Sequence, residues 1–561
     1  MRDRVEYKRS VSSDGKGGQD ADLEHVGAKL KELAEQGRVD ELITTVIELL
    51  SQVRQQNTAL QVRLHNALRQ LYGRTSEKVS ADQLSLLFDE LGDQVPEGAR
   101  PSPGDDEGEH DEDEPIEQPK RKARRGRKPL PKDLPREQKV IRVPDEQRAC
   151  STCGRERSTI GFIESEVLEF VPAHFKVIEE QREKVACEHC GDGVAAAQTQ
   201  KPLERGRPGP GLLAHVLVSK CQDSLPLYRQ SQIYERAGVR ISPSTLGDWF
   251  AFGCDVLEPI ADEIRRRVLG SLVIRADDTS IRVLDRADAK GVKRGHMWGY
   301  VGDGGLVAFD YTPTWEAKGP AAFLEGFDGW LQGDGYAGFK TALGRQRDGP
   351  IVSDERRLGC SMHVRRKFEY AAKAGDTRGA VALGYFRKIY RVEKECKREG
   401  LDAEQRKARR DEKSLPVLDE MYEWIHELHR DLVPDDKLQQ ATRYAINEEA
   451  PIRRCFEDGR FEIDNGEVER QLRRIAIGRK NYLFAGSDKG AHRLARACTV
   501  LGSCHMLGID PQAYLTDVID KVQNGWPKSR IDALMPTTHA AAADDDTELD
   551  DSGVHTADAA L

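Results

Sequence analysis

Three short stretches, each with an acidic residue in or beside a predicted element, constrain the fold of this chain most. VIRADDTSIRVL is β-branched and apolar before Asp277, LQGDGYAGFK sets Asp334 ahead of a Gly-Tyr turn, and a helical pattern opened by Asp464 contains Glu469. We expect the fold to gather these acids into one cluster. Carboxylate oxygens that share two hard divalent cations can clamp the attacking and leaving oxygens of a phosphoryl transfer. Since the chain has 96 Asp and Glu, a solvated surface position is the ordinary alternative for each of them.

Glu469 has a second alternative, an i,i+4 ion pair with Arg473 on a surface helix. Asp278 is adjacent to Asp277, so on a strand the two side chains point to opposite faces and only one can join the cluster. The helix predicted to carry Glu469 has an apolar face formed by Val468, Leu472 and Ile475, and Asp464 is placed to cap its start.

Four motifs carry a family resemblance: ADDTSIRVL, DGYAGF, GCSMHVRRKF and DNGEVERQLRRIAIGRKNYLFAGSDKGA. Together they resemble the conserved blocks of the insertion sequence 66 family of bacterial DDE transposases. LYGRTSEK at 71–78 and DPQAYLTDV at 510–518 extend the resemblance over about residues 40–535. The chain departs from the family pattern at Asp278, where glutamate is usual, and at Gly466, where a second asparagine is usual.

The resemblance implies a ribonuclease H-like catalytic domain in which Asp277, Asp334 and Glu469 hold two Mg²⁺ ions. It selects Asp277 rather than Asp278 as the first acid of the triad. It also implies that the protein acts as an oligomer and that small accessory proteins are encoded beside it.

Length and charge set broad limits. A chain of 561 residues is long enough for about three to four domains. The formal net charge of −10 would argue against a nucleic-acid partner, but acidic residues crowd 104–114 and 544–551 and leave basic runs elsewhere. Without an apolar run of about 20 residues or a signal-peptide core, we expect a cytoplasmic protein that does not associate with a membrane.

The N-terminal third is predicted to begin with a poorly ordered stretch, 1–40, followed by a helical segment, 41–95. Apolar residues at helical spacing between 41 and 71 favour a short coiled coil that would make a homo-oligomer. An amphipathic helix that packs on its own chain explains the same pattern equally well.

A charged linker, 96–140, contains a basic run in which seven of the nine residues from Lys120 to Lys128 are Lys or Arg. An extended string of this kind can lie in a minor groove. A tether whose acidic half pairs with its basic half is the alternative. The candidate DNA-binding residues here are Arg124, Arg125, Arg127 and Lys128.

Two Cys-x-x-Cys pairs indicate a zinc-binding domain at 141–202. Each pair can put two thiolates on one turn, and Cys150, Cys153, Cys187 and Cys190 can close a tetrahedron around Zn²⁺. The 33 residues between the pairs suit a zinc ribbon. We favour this structural site over a redox pair, and His189 is a weaker candidate ligand.

Residues 203–268 are predicted to be all helical. Gly238 follows one helix, and Ser242-Pro243 supplies an N-cap and a first-turn proline for the next. This arrangement suits a helix-turn-helix that binds DNA. A plain helical hairpin is nearly as well supported, because the second helix has few basic residues and Leu246 and Trp249 suit a core.

The catalytic domain is predicted at 269–510. Strand patterns at 272–284, 296–302, 305–311 and 329–334, with a helix at 317–327, give the order of a ribonuclease H-like fold, and 375–455 is predicted to be a helical insertion. A C-terminal helix at 511–535 and a poorly ordered tail at 536–561 complete a multidomain α+β chain.

A basic density near the acids suits a phosphate-bearing substrate. His363 is expected either to order a carboxylate or water or simply to pack. The candidate DNA-binding residues in this domain are Arg365, Arg366, Arg470, Arg473, Arg479 and Lys480.

These features predict a DNA transposase that binds terminal inverted repeats, hydrolyses the phosphodiester at the element's ends and joins the 3′-hydroxyls to target DNA. The alternative from another class is a zinc-containing DNA-binding regulator that performs no chemistry. A nuclease of the same fold, cutting without sequence preference, is a third interpretation.

Overall fold

The computed structural model describes residues 208–540, apart from 289, 337, 340–353 and 433–435. It also describes short stretches before residue 208, at 35–36, 38, 88, 91, 95–100, 174–179, 181, 183–186 and 194–196. The chain divides into two compact units. The larger comprises 1–106, 201–226 and 248–561, and the smaller comprises 107–200 and 227–247.

The described elements are numbered in chain order. The strands are β1 Lys184–Ala186, β2 Val194–Ala196, β3 Val273–Leu284, β4 Val292–Val301, β5 Val307–Thr312, β6 Trp330–Gln332 and β7 Arg357–Leu358. The α-helices are α1 Pro210–Cys221, α2 Leu227–Arg236, α3 Pro243–Val256, α4 Glu258–Leu269, α5 Lys318–Phe323, α6 Ser361–Lys373, α7 Gly379–Glu399, α8 Ala403–Arg430, α9 Lys437–Asn447, α10 Glu449–Arg454, α11 Gly466–Tyr482, α12 Asp488–Met506 and α13 Pro511–Gln523.

In the smaller unit, β1 and β2 form an antiparallel pair in which Val185 lies opposite Ala195. Helix α2 ends before Gly238, whose φ of +86° is a backbone conformation that glycine adopts without strain. Helix α3 begins at Pro243, and the hydroxyl of Ser242 accepts a hydrogen bond from the Thr245 amide at 3.1 Å. The predicted helix stop and N-cap are therefore confirmed.

The larger unit is built on a five-stranded mixed sheet with the order β5-β4-β3-β6-β7. Strands β3, β4 and β5 pair antiparallel, whereas β6 runs parallel to β3 and β7 parallel to β6. The chain thus lays down three strands as a meander and then crosses to the other side of β3. The four strands predicted from alternation and β-branching are present, although β4 begins at Val292 rather than at 296 and β6 ends at Gln332, before Asp334.

Helix α12 covers the edge strand β5. The hydroxyl of Thr499 accepts from the Phe309 amide at 2.8 Å, and the hydroxyl of Ser503 accepts from the Val307 amide at 3.2 Å. An open edge offers unpaired amides to other chains, so these buried hydroxyls satisfy donors that would otherwise lack a partner.

The segment between β7 and α11 is helical, as its composition predicts. Helices α6 to α9 share a core with large buried side chains such as Phe368, Phe386 and Met421. A capping box starts α8, because the Asp402 carboxylate accepts from the Gln405 amide and the Gln405 side chain accepts from the Asp402 amide. Among the residues that the structure describes, no helix is long and apolar enough to cross a bilayer.

Candidate active site

Strand β3 and helix α11 bring two of the three predicted acids together. Asp277 lies mid-strand and is paired with Gly299 of β4, so both positions face the same side of the sheet. A Cβ atom at Gly299 would lie 3.0 Å from Val468 Cγ2 and 3.3 Å from Leu472 Cγ. The missing side chain lets the apolar face of α11 approach β3, and Glu469 next to Val468 is thereby carried toward Asp277.

Asn465, immediately before α11, links three elements of the site. Its side chain is fully buried, and its Oδ1 accepts from the Cys360 thiol at 2.9 Å. Its Nδ2 donates to the carbonyl of Ala276, the residue before Asp277, at 3.4 Å. The start of α6, the middle of β3 and the start of α11 are therefore held by one amide.

The carboxylate of Asp464 accepts from the Gly466 amide at 2.9 Å and from the Tyr390 hydroxyl at 2.7 Å. The N-cap of α11 is Asn465 rather than the predicted Asp464, which lies one residue earlier and bonds the first amide of the helix. Burial raises the pKa of Asp464, and these two hydrogen bonds act in the opposite direction. The helical insertion thus touches the start of the helix that carries Glu469.

Asp334 follows β6, at the carboxyl end of the strand, and its Oδ1 accepts from the Tyr336 amide at 3.0 Å. The strand is anchored by Gln332, which is fully buried and donates to the carbonyls of Gly359 and Glu462 at 3.0 and 2.7 Å. These bonds fix the end of β6 against the segments on either side of it.

His363, on the first turn of α6, completes the arrangement. Ligand atoms of Asp277, His363 and Glu469 all lie within 4.8 Å of one another. His363 Nε2 is 3.5 Å from Glu469 Oε1, and Arg366, one turn later, donates to Glu469 Oε2 at 3.0 Å. Asp334 is not one of this group of three, although its charge acts on both Asp277 and His363.

Burial and the charges of neighbouring groups shift the pKa values of Asp277, Asp334 and His363. The pKa of Asp277 is raised well above its usual value, first by burial and then by the negative charge of Glu469. Burial also raises the pKa of Asp334, against an opposing effect of His363. The pKa of His363 is lowered by burial, which favours the neutral imidazole that can act as a metal ligand.

The donor set fits a divalent cation. Glu469 Oε1 and His363 Nδ1 are buried atoms without a hydrogen-bond partner, and ligand atoms of Asp277 and Glu469 lie within 4.8 Å of each other. Carboxylate oxygens are the ligands that hard divalent cations prefer, and a cation would offset the repulsion between Asp277 and Glu469.

Asp278 lies on the opposite face of β3, as strand alternation predicts. One oxygen lies 2.5 Å from His296 Nδ1, and the other accepts from Trp315 Nε1 at 3.0 Å. Both of its carboxylate oxygens are engaged away from the group formed by Asp277, His363 and Glu469.

Several predicted DNA-binding cations also make contacts inside the protein. Arg479 donates to Thr279 Oγ1 at 2.9 Å and to the Ser280 carbonyl, which ties the end of α11 to β3. Arg470 is paired with Glu467. Of the predicted contact residues, Arg470, Arg473 and Lys480 are exposed, whereas Arg365, Arg366 and Arg479 are partly buried.

Other predicted features lie outside the described residues. These are the cysteines Cys150, Cys153, Cys187 and Cys190, the basic residues Arg124, Arg125, Arg127 and Lys128, and the 41–71 helical stretch.

Sequence reasoning missed Asn465, Gln332 and Gly299 as residues that position the acids. A polar residue between Asp464 and a helical pattern resembles any helix start, and Gln332 fits the polar positions of a half-buried strand. Only a glycine inside the strand pattern at 299 hinted at a close approach of another element.

Comparison with known proteins gives matches along most of the chain. The model described as "Transposase IS66 family" matches residues 205–493, and "zinc-finger binding domain of transposase IS66" matches 147–191. "Transposase C of IS166 homeodomain" matches 59–138, and "IS66 C-terminal element" matches 499–537.

Curated relatives come from Sinorhizobium fredii (strain NBRC 101917 / NGR234). The chain is 36% identical to "Uncharacterized protein y4qI" over 431 residues, which is 75% of this chain and 78% of that protein. It is 32% identical to "Uncharacterized protein y4hP" over 511 residues, which is 85% of this chain and 88% of that protein. The matched family models, in the same order along the chain as the predicted modules, show that this protein belongs to the IS66 family of transposases.

Proposed function

We propose that the protein cuts the phosphodiester bonds at the ends of its insertion sequence and joins the freed 3′-hydroxyls to target DNA. The convergence of Asp277, His363 and Glu469 from three separate elements supports this proposal, and the charge of Asp334 acts on Asp277 and His363. A purely DNA-binding protein would have no need of buried acids that repel one another.

We propose further that the larger unit is a ribonuclease H-like domain. The order β5-β4-β3-β6-β7, with an antiparallel meander followed by parallel strands, supports this assignment. In this assignment Asp277 lies in the middle of β3 and Asp334 lies just after β6. Glu469 lies on α11, the helix that returns to the sheet after the helical insertion.

Asp277, Asp334 and Glu469 would hold the two Mg²⁺ ions, and His363 is a further candidate ligand. When bound, the ions supply activation of water or the 3′-hydroxyl and stabilisation of the leaving oxygen. Arg366 holds one oxygen of Glu469 and so orients the other, Oε1, toward His363 and the site. Asn465 and Gln332 keep the elements that carry the acids in register.

We assign DNA recognition to residues that precede the five-stranded sheet in the chain, namely the zinc-finger match at 147–191 and the basic run before it. The match to a zinc-finger domain supports zinc, and we propose Cys150, Cys153, Cys187 and Cys190 as its ligands. Four thiolates leave no open position, so this zinc would stabilise the fold and take no part in cleavage. The basic run with Arg124, Arg125, Arg127 and Lys128 would then bind the phosphate backbone beside the terminal repeat.

The test is cleavage of a labelled duplex that contains the element's terminal repeat and flanking DNA, with Mg²⁺. Asp334→Asn is expected to lower strand cleavage at least about 1,000-fold, because one carboxylate that would hold the catalytic ions is removed, while end binding stays within about twofold. Asp328→Asn is the matched control, since the Asp328 side chain is 90% exposed.

Asp328→Asn should cleave at the wild-type rate. Cleavage by Asp334→Asn at a rate near wild type would refute the assignment of the acids. A wild-type protein that shifts the duplex and never nicks it would instead indicate the DNA-binding regulator.

A further inference from the structure

A group of aromatic side chains, here called the aromatic platform and defined as His296, Trp298, Trp315 and Tyr336, lies on the Asp278 face of β3 and adjoins Asp334 through the Tyr336 amide. The rings of Trp315 and Tyr336 stack with centroids 4.5 Å apart and planes inclined by 28°. Tyr336 also contacts Trp298 at 5.7 Å, and His296 stacks on Trp315 at 5.9 Å.

The platform is joined to the candidate active site through the backbone at two points. Asp278, which follows Asp277 in β3, accepts a hydrogen bond from the Trp315 indole. Tyr336 lies two residues after Asp334, and its amide donates to the Asp334 carboxylate at 3.0 Å. The platform and the acids therefore cannot move far from each other.

Trp315 is held in place yet open to solvent. Its indole N–H is bonded to Asp278, and its carbonyl accepts from the Tyr336 hydroxyl at 2.7 Å. Even so, Trp315 is 53% exposed, whereas Trp298 of the same platform is 1% exposed. More than half of the surface of Trp315 therefore stays open although Tyr336 and His296 both stack on its ring, and this open surface is available to a ligand.

The surroundings indicate the class of ligand. Glu316 and Lys318, the first and third residues after Trp315, are exposed and paired with each other at 2.5 Å, so charged side chains follow the indole directly in the chain. A protein partner would need a broader apolar area. A flat, polarisable group attached to a phosphodiester chain fits a single fixed indole face, and a nucleobase is such a group.

We propose that Trp315 stacks on an unpaired nucleobase of the DNA strand next to the bond that the acids cut. This inference rests on the proposed function, because the acids determine which part of the DNA lies nearby. Unstacking a nucleotide from a duplex costs about a few kcal/mol, and stacking of its base on an aromatic ring that is already fixed offsets part of this cost. Trp315 is then a binding residue that holds the strand end in position for cleavage.

The experiment measures single-turnover cleavage of the terminal-repeat duplex, intact or with one abasic site at each of the three positions on either side of the cut. Removal of a base–aromatic stack corresponds to a loss of about 5- to 150-fold. Trp315→Ala is expected to slow cleavage of the intact duplex by a factor in this range. At one position the abasic site should slow the wild-type protein by a similar factor and have no further effect on Trp315→Ala.

Tyr370→Ala is the matched control, because Tyr370 is 54% exposed on α6 and lies outside the platform. It should cleave at the wild-type rate on all duplexes. Trp315→Phe keeps a flat ring and loses only the N–H bond to Asp278, so it should retain most of the rate and the abasic effect. This second variant keeps the test decisive if Trp315→Ala does not fold.

The stacking proposal is wrong if wild type and Trp315→Ala cleave at the same rate. It is also wrong if the effects of Trp315→Ala and of the abasic site on the cleavage rate are additive at every position. Either result leaves the proposed function intact. If the wild-type protein does not cut the intact duplex at all, both the proposed function and the stacking role of Trp315 are rejected.

Discussion

Replacing Asn465 with alanine tests how the structure assembles the acids. The change removes a hydrogen bond from the Cys360 thiol at 2.9 Å and one to the Ala276 carbonyl at 3.4 Å. A thiol is a weak donor and the second bond is long, so together they contribute about 1 to 1.5 kcal/mol. The Ala276 carbonyl then loses this donor in a buried site, which adds about 1 kcal/mol.

Asn465→Ala should therefore lower the free energy of unfolding by about 2 to 2.5 kcal/mol, a loss that a domain with a stability of about 5 to 15 kcal/mol survives. Its effect on catalysis should be larger than a general loss of stability can explain. The amide holds β3 beside Asp277 and α11 near Glu469, and displacement of a reacting group by about 1 Å can cost about 100-fold in rate. We expect cleavage of the terminal-repeat duplex to fall by about 10- to 100-fold, with end binding unchanged.

The assays are denaturant unfolding, single-turnover cleavage and end binding by gel shift. Thr442→Val is the matched control, because Thr442 is fully buried and its hydroxyl bonds His429 and the Gln439 carbonyl within the helical insertion. It should lose a comparable amount of stability and keep its cleavage rate. If Asn465→Ala is destabilised and still cleaves like the control, Asn465 only packs the core, and the positioning argument is wrong.

Two further predictions concern stability. Arg357→Met should lower the free energy of unfolding by about 3 to 5 kcal/mol, because the Glu448 side chain is 3% exposed and loses the guanidinium that lies 2.5 Å away. The double variant Arg357→Met with Glu448→Leu should recover most of this loss, as measured by denaturant unfolding of both variants. A cost below about 1 kcal/mol for Arg357→Met alone would contradict the prediction. The hydrogen bond from Arg266, supported by Arg267, lowers the pKa of Glu263 to about 2 from 4.5. Because the folded-state pKa is depressed, the stabilisation by Glu263 is present above pH 4.5 and is lost as the pH falls toward 2. The difference in unfolding free energy between wild type and Glu263→Gln should therefore shrink as the pH is lowered from 4.5 to 2. A difference that does not change with pH would exclude the ion pair as its cause.

Local sequence was enough to predict much of the fold. Alternation and β-branching located β3 to β6, and Ser242-Pro243 predicted the start of α3 because a cap depends on residues only a few positions apart. The side of β3 that each acid occupies also followed from the sequence, since neighbouring strand residues always point to opposite faces. Family motifs selected the candidate acids, and the family matches agree with the predicted order of modules along the chain.

What the tertiary structure decided is how distant segments meet. Nothing local distinguishes an Asn465 that bonds β3 and α6 from one that caps a surface helix, because its partners lie 189 and 105 residues away. The same holds for His363, whose position beside Glu469 depends on how α6 and α11 pack, and for Gly299, whose missing side chain matters only because α11 lies against it. The sequence by itself determined which side chains were able to bind a cation, since that is a property of their chemistry. Which of them come within reach of one another was decided only by the packing of the helices on the sheet, because that packing is set by contacts far apart in the chain.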